Sequence, residues 1–345
     1  MPSGAASLLV RLIRSREFSV IVVIALLCVL LMFTPASETF FTQRNLLNVT
    51  RQVALLAIFA IGEVVVIIAG GIDLSVGSLI AFTGMLMALM ITRVFGHLGP
   101  TVAVSLGVGV ALLASLAIGG LHATLIHYLR LPPFVVTLAS LLVLRSQSSV
   151  INNQLQITLQ DYPALLNLAN GNLLESTGHP VPVPVVILLA VALAAAAVLG
   201  FARIGRYVYS VGSNEAATRL SGVNVYRVKL FAYGLSALLG GVAGVLWAAY
   251  GGQGDPQAGN SYELDAVASC VVGGASLNGG QGSVAGAVLG AVLLQVIFSA
   301  INLALPKPDL WRGSVVGGVL LFAVLIPPAV RWLRARAQGV AVSGD

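Results

Sequence analysis

Five ionisable residues fall within or at the edge of long apolar runs: Glu63, Asp73, Arg145, Glu263 and Asp265. Charge at membrane depth is costly, so such groups face a protein interior or water and pair, cap a helix end or carry a proton. Asp73, with Ser75 close behind, reads as an N-cap of the run that begins at 74, its carboxylate taking backbone N–H groups that a first helical turn cannot satisfy internally. Proton coupling is the competing use. Glu63 lies inside the preceding run, and Arg145, toward the far end of a later run, is its candidate ion-pair partner in a tightly packed bundle.

Other chemistries find little support. His122 and His127 are five apart, a spacing that does not set two imidazoles on one helix face for a metal. With His97 and His179 they read as interfacial or loop residues, and no metal site or cofactor is expected. Neither a Gly-x-Ser-x-Gly elbow nor an HExxH pattern is present, which argues against an intramembrane hydrolase. The two lysines, Lys229 and Lys307, lie in no phosphate-loop glycine pattern, so the chain does not hydrolyse ATP alone.

Composition supplies the setting for these residues. Of 345 residues 58% are hydrophobic and only 9% charged, against about a quarter charged in soluble domains. The expected fold class is therefore all-α, a polytopic transmembrane helix bundle; a β-barrel would show short alternating strands instead. Its apolar runs give about ten spans: 19–33, 52–69, 74–92, 101–120, 134–150, 184–201, 230–250, 264–278, 284–304 and 313–330. The first follows Arg11, Arg14 and Arg16 like a signal peptide, but no small-residue cleavage site comes after it and many spans do. The net charge of +6 flanks the spans and suggests membrane lipid rather than nucleic acid as its surroundings. Cys28 and Cys270 sit in apolar runs, where a thiol serves as small core filler.

One basic stretch interrupts the apolar pattern. From 201 to 229 it holds Arg203, Arg206, Arg219, Arg227 and Lys229 against Glu215, and the positive-inside rule places it in the cytoplasm. That fixes the rest: segment 1–18 inside, a permease domain over 19–330, an outer loop 151–183 without Lys or Arg, and a cytoplasmic tail 331–345. Within the basic loop 202–229 a short helix is expected from Asn214 to Leu220, capped by Ser213 or Asn214, favoured by Ala216 and Ala217 and ended by Gly222. Such a helix either docks a partner or merely connects. The outer loop carries Asn152, Asn153, Gln154, Gln156 and Asn170, which either line a vestibule beneath a docked partner or are polar for ordinary solvation.

Two stretches look alike. Gly70-Gly71-x-Asp73-Leu74 with Gly77-Ser78, and Gly273-Gly274-x-Ser276-Leu277 with Gly282-Ser283, each close one apolar run and open the next. In the topology above both hairpins run in the same sense, a parallel internal repeat of the kind found in transporters. Gly240-xxx-Gly244, Gly282-xxx-Gly286-xxx-Gly290 and Gly313-xxx-Gly317 read as helix contact faces.

Three blocks, GGIDLSVGS at 70–78, GRYVYSVGSNEAATRLSGV at 205–223 and AGNSYELDAVASCVVGGASLNGGQGSVAGAVLGA at 258–291, resemble the permeases of ribose-type ABC importers over about 40–330. The resemblance implies a bacterial inner-membrane subunit that pairs with a second permease, a cytoplasmic ATP-binding subunit and an extracytoplasmic sugar-binding protein, and that passes a monosaccharide unchanged. It further implies that Asn214, Glu215, Ala216, Ala217, Arg219 and Gly222 form or support an EAA-type coupling segment seated on the ATPase. An ion-coupled secondary transporter of a small polar solute is the alternative; it accounts for the repeat and for Glu63 and Asp73 but not for the basic loop.

Overall fold

In a computed structural model, residues 16–337 are described. The expected N-terminal segment 1–18 thus lies almost wholly outside the described residues, as does the end of the 331–345 tail. Proline at the first position begins several helices, where its missing N–H costs nothing: α4 (Pro100–Tyr128), α5 (Pro133–Val150) and the short α6 (Pro163–Asn170). The other helices of more than one turn are α1 (Arg16–Met32), α2 (Gln43–Ile68), α3 (Val76–Leu89, continued by a π turn over Met90–Val94), α7 (Val183–Phe201), α8 (Arg203–Ser213), α9 (Glu215–Leu220), α10 (Val225–Gly251), α11 (Tyr262–Val272), α12 (Val284–Ala304) and α13 (Asp309–Ala337). Two two-residue ladders complete it: β1 (Ile157–Thr158) on β4 (Gln253–Gly254), and β2 (Asn172–Leu173) on β3 (Val181–Pro182), both antiparallel.

Among the described residues seven helices are long and apolar enough to cross a membrane: α2, α3 with its π turn, α4, α5, α7, α10 and α12. The chain is thus an all-α polytopic bundle, with a count that differs from about ten. The expected span 19–33 is α1, of 17 residues, and 313–330 lies inside α13, which runs on past the expected boundary to Ala337. The expected span 264–278 is corrected more deeply. Its helix, α11, has only 11 residues, about 16 Å, roughly half the hydrocarbon thickness. Gly273 and Gly274 end it early, and 252–261 before it is not helical.

The core is built around α2, whose residues from Ala54 to Ile68 are almost all buried. Glycines set the closest approaches. On α10, Gly240 packs on Leu79 and Gly244 on Ile80 of α3; Gly286 and Gly290 of α12 lie on Gly273 and Ser269 of the α11 end. Gly313 and Gly317 do not form the contact face expected of them: nothing described lies within 4 Å of a Cβ built at either.

The bundle has two distinct ends. One gathers turn 69–75, loop 129–132 and α8–α9, since a single cavity of about 460 Å³ is lined by Gly70, Arg130, Pro132, Glu215, Arg219 and Lys229 among others. Turn 273–283 joins it, with Gly280 N–H donating to Ile68 O at 2.8 Å. The other end carries segment 151–183 and β4. Its amides are partly tied to the bundle: Asn152 Oδ1 accepts from Arg93 at 2.6 Å, Asn172 Oδ1 from Arg51, and Asn170 Nδ2 donates to Ala249 O at 3.0 Å.

Candidate functional site at the basic end

Both glycine turns and the basic segment meet at one point. Gly70, Gly279 and Gly280 all have φ between +71° and +84°, a region that only glycine enters freely. A Cβ on Gly279 would stand 2.6 Å from Gly212 O and 2.9 Å from Gly70 Cα. The last turn of α8 is thereby locked between the two hairpins. Because the turns touch, both hairpins reverse at the same end, as a parallel repeat requires, although the helix before the first has 26 residues and the helix before the second only 11. Tyr209 of α8 adds a hydroxyl bond to Gly282 O at 3.0 Å.

From this lock α9 projects. Asn214 caps it, its Oδ1 accepting Ala217 N–H at 2.9 Å, and Gly222 at φ +81° turns the chain out of it. Ala216 and Ala217 occupy its exposed first turn. Glu215 bridges two cations, Arg219 at 2.7 Å and Lys229 of α10 at 2.9 Å. Partial burial alone would raise the Glu215 carboxyl, but hydrogen bonds and charge from Lys229 and Arg219 win and hold it below the ordinary carboxylate range. The helix is therefore tied to the bundle by α8 on one side and by Lys229 on the other, while Leu220 at its tip is 90% exposed.

Behind the first turn lies a buried polar network. Asp73 is not the N-cap expected of it, since α3 begins at Val76 with Ser75 in the cap position. Instead Asp73 Oδ1 accepts both the backbone N–H (3.0 Å) and the hydroxyl (2.6 Å) of Ser75, and its Oδ2 accepts from Ser236 Oγ of α10 at 2.9 Å. Glu63 Oε1 takes the Asp73 N–H at 3.2 Å, and Thr137 Oγ1 donates to Ile72 O at 3.1 Å. Glu63, Asp73, Ser75 and Ser236 are all fully buried. The ion pair considered between Glu63 and Arg145 does not form. Arg145 instead donates to the carbonyls of Pro256 (3.1 Å) and Ala258 (2.7 Å), because non-helical backbone there offers carbonyls with no helical partner.

His122 also departs from expectation: it is fully buried rather than interfacial, with Nε2 2.7 Å from Ser140 Oγ and its ring edge on Tyr233. Cys270 is buried, its thiol donating to Ala60 O, whereas Cys28 is only half-buried. Sequence reasoning missed Ser236 and Gly212. Both are small residues in apolar or basic surroundings, and only the packing reveals their partners.

Comparisons with known proteins then place the chain. A family model described as branched-chain amino acid transport system / permease component matches residues 45–325. The chain belongs to this permease family. The ribose import permease protein RbsC of Escherichia coli K12 is 38% identical over 307 residues, 88% of this chain and 91% of that one. The RbsC of Haemophilus influenzae is 36% identical over 317 residues, covering 91% and 93%. The xylose transport system permease protein XylH of E. coli K12 is 30% identical over 377 aligned positions, covering 92% and 94%. No solved structure matches the chain. Among the described residues no group of three or more His, Cys, Asp or Glu side chains is placed to hold a metal ion.

Proposed function

We propose that the chain is the membrane subunit through which an ATP-driven importer passes a monosaccharide, a pentose such as ribose or xylose or a related hexose, delivered by an extracytoplasmic binding protein. The observation that carries this reading is the extent of the likeness to ribose and xylose permeases, which runs through the basic segment and both glycine turns. In this reading the basic end is cytoplasmic, as its charge requires, and both termini lie on that side. A second permease copy or homologue completes the path.

The mechanism follows from the lock between α8 and the two hairpins. A cytoplasmic ATPase that seats α9, through Glu215, Ala216, Ala217, Arg219 and the exposed Leu220, pulls on α8. Gly212 leaves no side-chain cushion between α8 and the turns, so displacement of α9 moves both hairpins together. Closely packed elements switch between discrete arrangements rather than deform smoothly, and outward-facing and inward-facing states would be two such packings. The sugar is not altered chemically.

The test is reconstitution of the chain with its ATPase and binding protein in vesicles, measuring labelled ribose and xylose uptake. Uptake that needs ATP and ignores an ionophore is expected. Uptake abolished by the ionophore and indifferent to ATP would instead establish an ion-coupled carrier, and accumulation by the lone chain would overturn the division of labour. For the coupling role, Gly222→Val is expected to lower association with the ATPase and uptake by tenfold or more, since a β-branched residue at φ +81° is strained; unchanged association and uptake would remove α9 from the mechanism.

A further inference from the structure

The non-helical segment 252–261 is the least expected backbone in the molecule. It starts at the β1–β4 ladder, where Gly254 lies against Ala88 and Gly84 of α3. It then runs along α3 until Gly259 meets Gly77, whose Cβ, if present, would be 2.5 Å from Gly259 O. From Ala88 to Gly77 is roughly 16 Å of helix. The far point is central, because Val76 and Leu79 beside it pack on Gly240, midway along α10. Only there does α11 begin. The chain thus reaches the middle of the bundle through a run of turns and continues as a half-length helix.

Such backbone is tolerated in a membrane only where protein buries it or where it lines water. Here it is half of each. Ala258 and Gly259 are buried, and Arg145 of α5 satisfies the carbonyls of Pro256 and Ala258. Gln257, Asn260 and Ser261 point out and are exposed, and among the described residues their side chains form no hydrogen bond. Ser261 holds φ +65°, uncommon for a residue with a Cβ, and its hydroxyl does not cap α11 although it occupies the cap position. Next to them Glu263 keeps one carboxylate oxygen, Oε2, without a hydrogen-bond partner and packed close to Gly77 of α3, at the inner edge of this face. A native site with an unmet buried acceptor beside free amides and a hydroxyl, at the depth where discontinuous helices hold transported solutes, is a place for a ligand rich in hydroxyl groups.

We propose that Gln257, Asn260, Ser261 and Glu263, braced by Arg145, form a hydroxyl-recognising station on the wall of the translocation path at mid-membrane. This rests on the sugar-import reading above. Lipid cannot be the natural cover for this face, since its amides would have no partner in hydrocarbon. A passing sugar offers several donors and acceptors, each weakly held, which suits a path that must also release its cargo.

The experiment uses the assembled importer in right-side-out vesicles, with Cys28→Ser to remove the half-buried native thiol. Asn260→Cys and Ser261→Cys are expected to react with a charged, membrane-impermeant methanethiosulfonate, while Leu193→Cys on the exposed apolar face of α7 does not. Labelling of neither 260 nor 261, in both nucleotide-free and ATP-bound states, would show a face sealed by lipid or by the second permease and would overturn the proposal. Glu263→Gln, nearly isosteric, is expected to lower sugar uptake at least tenfold with membrane abundance and ATPase association unchanged; uptake above half that of the parent would remove Glu263 from the station. If the parent importer carries no monosaccharide, the sugar reading fails, while the labelling still decides whether this face is wet.

Discussion

The two glycine turns share a sequence pattern and meet in space, yet they are held in opposite ways. Turn 69–75 is fastened from behind by side chains: Asp73 accepts three hydrogen bonds from Ser75 and Ser236, and Glu63 accepts the Asp73 N–H, all inside the bundle. Turn 273–283 has Ser276 where the first has Asp73, and it closes largely on its own backbone, Ser276 N–H on Gln281 O at 2.9 Å and Gly279 N–H on Ser276 O at 2.9 Å. Its outside anchors are peripheral: Gly280 on Ile68, Tyr209 on Gly282, and Ser283, which caps α12 and donates to Glu17 at 2.9 Å. One turn is a post sunk into the core by side-chain bonds; the other rests against it through backbone contacts, a difference that suits it to act as a hinge in the mechanism proposed above. In the mechanism proposed above, α8 wedged between them would have something to push from and something to push.

The comparison breaks most sharply at Asp73. Asp73→Ala removes the acceptor for the Ser75 amide and hydroxyl and the Ser236 hydroxyl, all of them buried. A loss of about 1–3 kcal/mol is expected from leaving these buried donors without their acceptor. Folded permease in the membrane should fall accordingly, read by abundance and by thermal melting in detergent. Asp73→Asn, which keeps one acceptor oxygen, should recover part of it. Near-normal melting of Asp73→Ala would mean that the first turn is no firmer than the second.

Gly279→Ala probes the plane of contact. The new Cβ would strike Gly212 O and Gly70 Cα, and the residue would be held at φ +82°. A cost of about 1–3 kcal/mol is expected from strain and overpacking together. The distinguishing result is functional: ATP-driven uptake should fall much further than melting temperature, because the clash pries the second turn off α8. Equal losses would make Gly279 a purely structural residue.

Much of this was readable in the sequence where local chemistry decides. The short helix after Asn214 follows from an Asn cap, two alanines and a glycine stop, and these are interactions within a few residues. The apolar runs give the helices. What the sequence could not express is set by contacts between distant segments. Ser236 takes its meaning from Asp73, 163 positions away, and nothing in GLSALLGG announces it. Arg145 pairs with carbonyls rather than with Glu63 because segment 252–261 leaves its helix, and hydropathy alone reads that segment's neighbour as an ordinary span. The shortness of α11 is of the same origin: apolar composition continues through Gly273 and Gly274, but the backbone does not.

A milder test concerns how α9 is tethered beside the two turns. Glu215 has a folded pKa below its unfolded value, so its contribution is complete above the unfolded value and is lost as pH falls through the folded one. The effect is therefore flat near neutrality and fades only below roughly pH 4.3, the free glutamate value. With its side chain 38% exposed, solvent screening leaves about 0.5 kcal/mol. Glu215→Gln should lower the melting temperature slightly at pH 7 and not at all near pH 3. A difference that persists at pH 3 would trace the loss to packing instead of charge.

The smallest expected change is the most telling for the second turn. If turn 273–283 rests on backbone bonds, then Ser276→Ala removes only its hydroxyl, whose one described role is to accept the Asn278 N–H at 3.3 Å. Asn278 is partly solvent-exposed, so water can take over that bond. The cost should stay within about 0.5 kcal/mol, the range of ordinary surface substitutions. The reverse change, Ser276→Asp, would write the first turn's sequence into the second. It should gain nothing, because the network that gives Asp73 its hold is built from Glu63, Ser75 and Ser236, and Ser276 is hydrogen-bonded only within its own turn. Melting of Ser276→Ala as low as that of Asp73→Ala would erase the distinction between post and hinge, and the push of α8 would have to be shared equally by both.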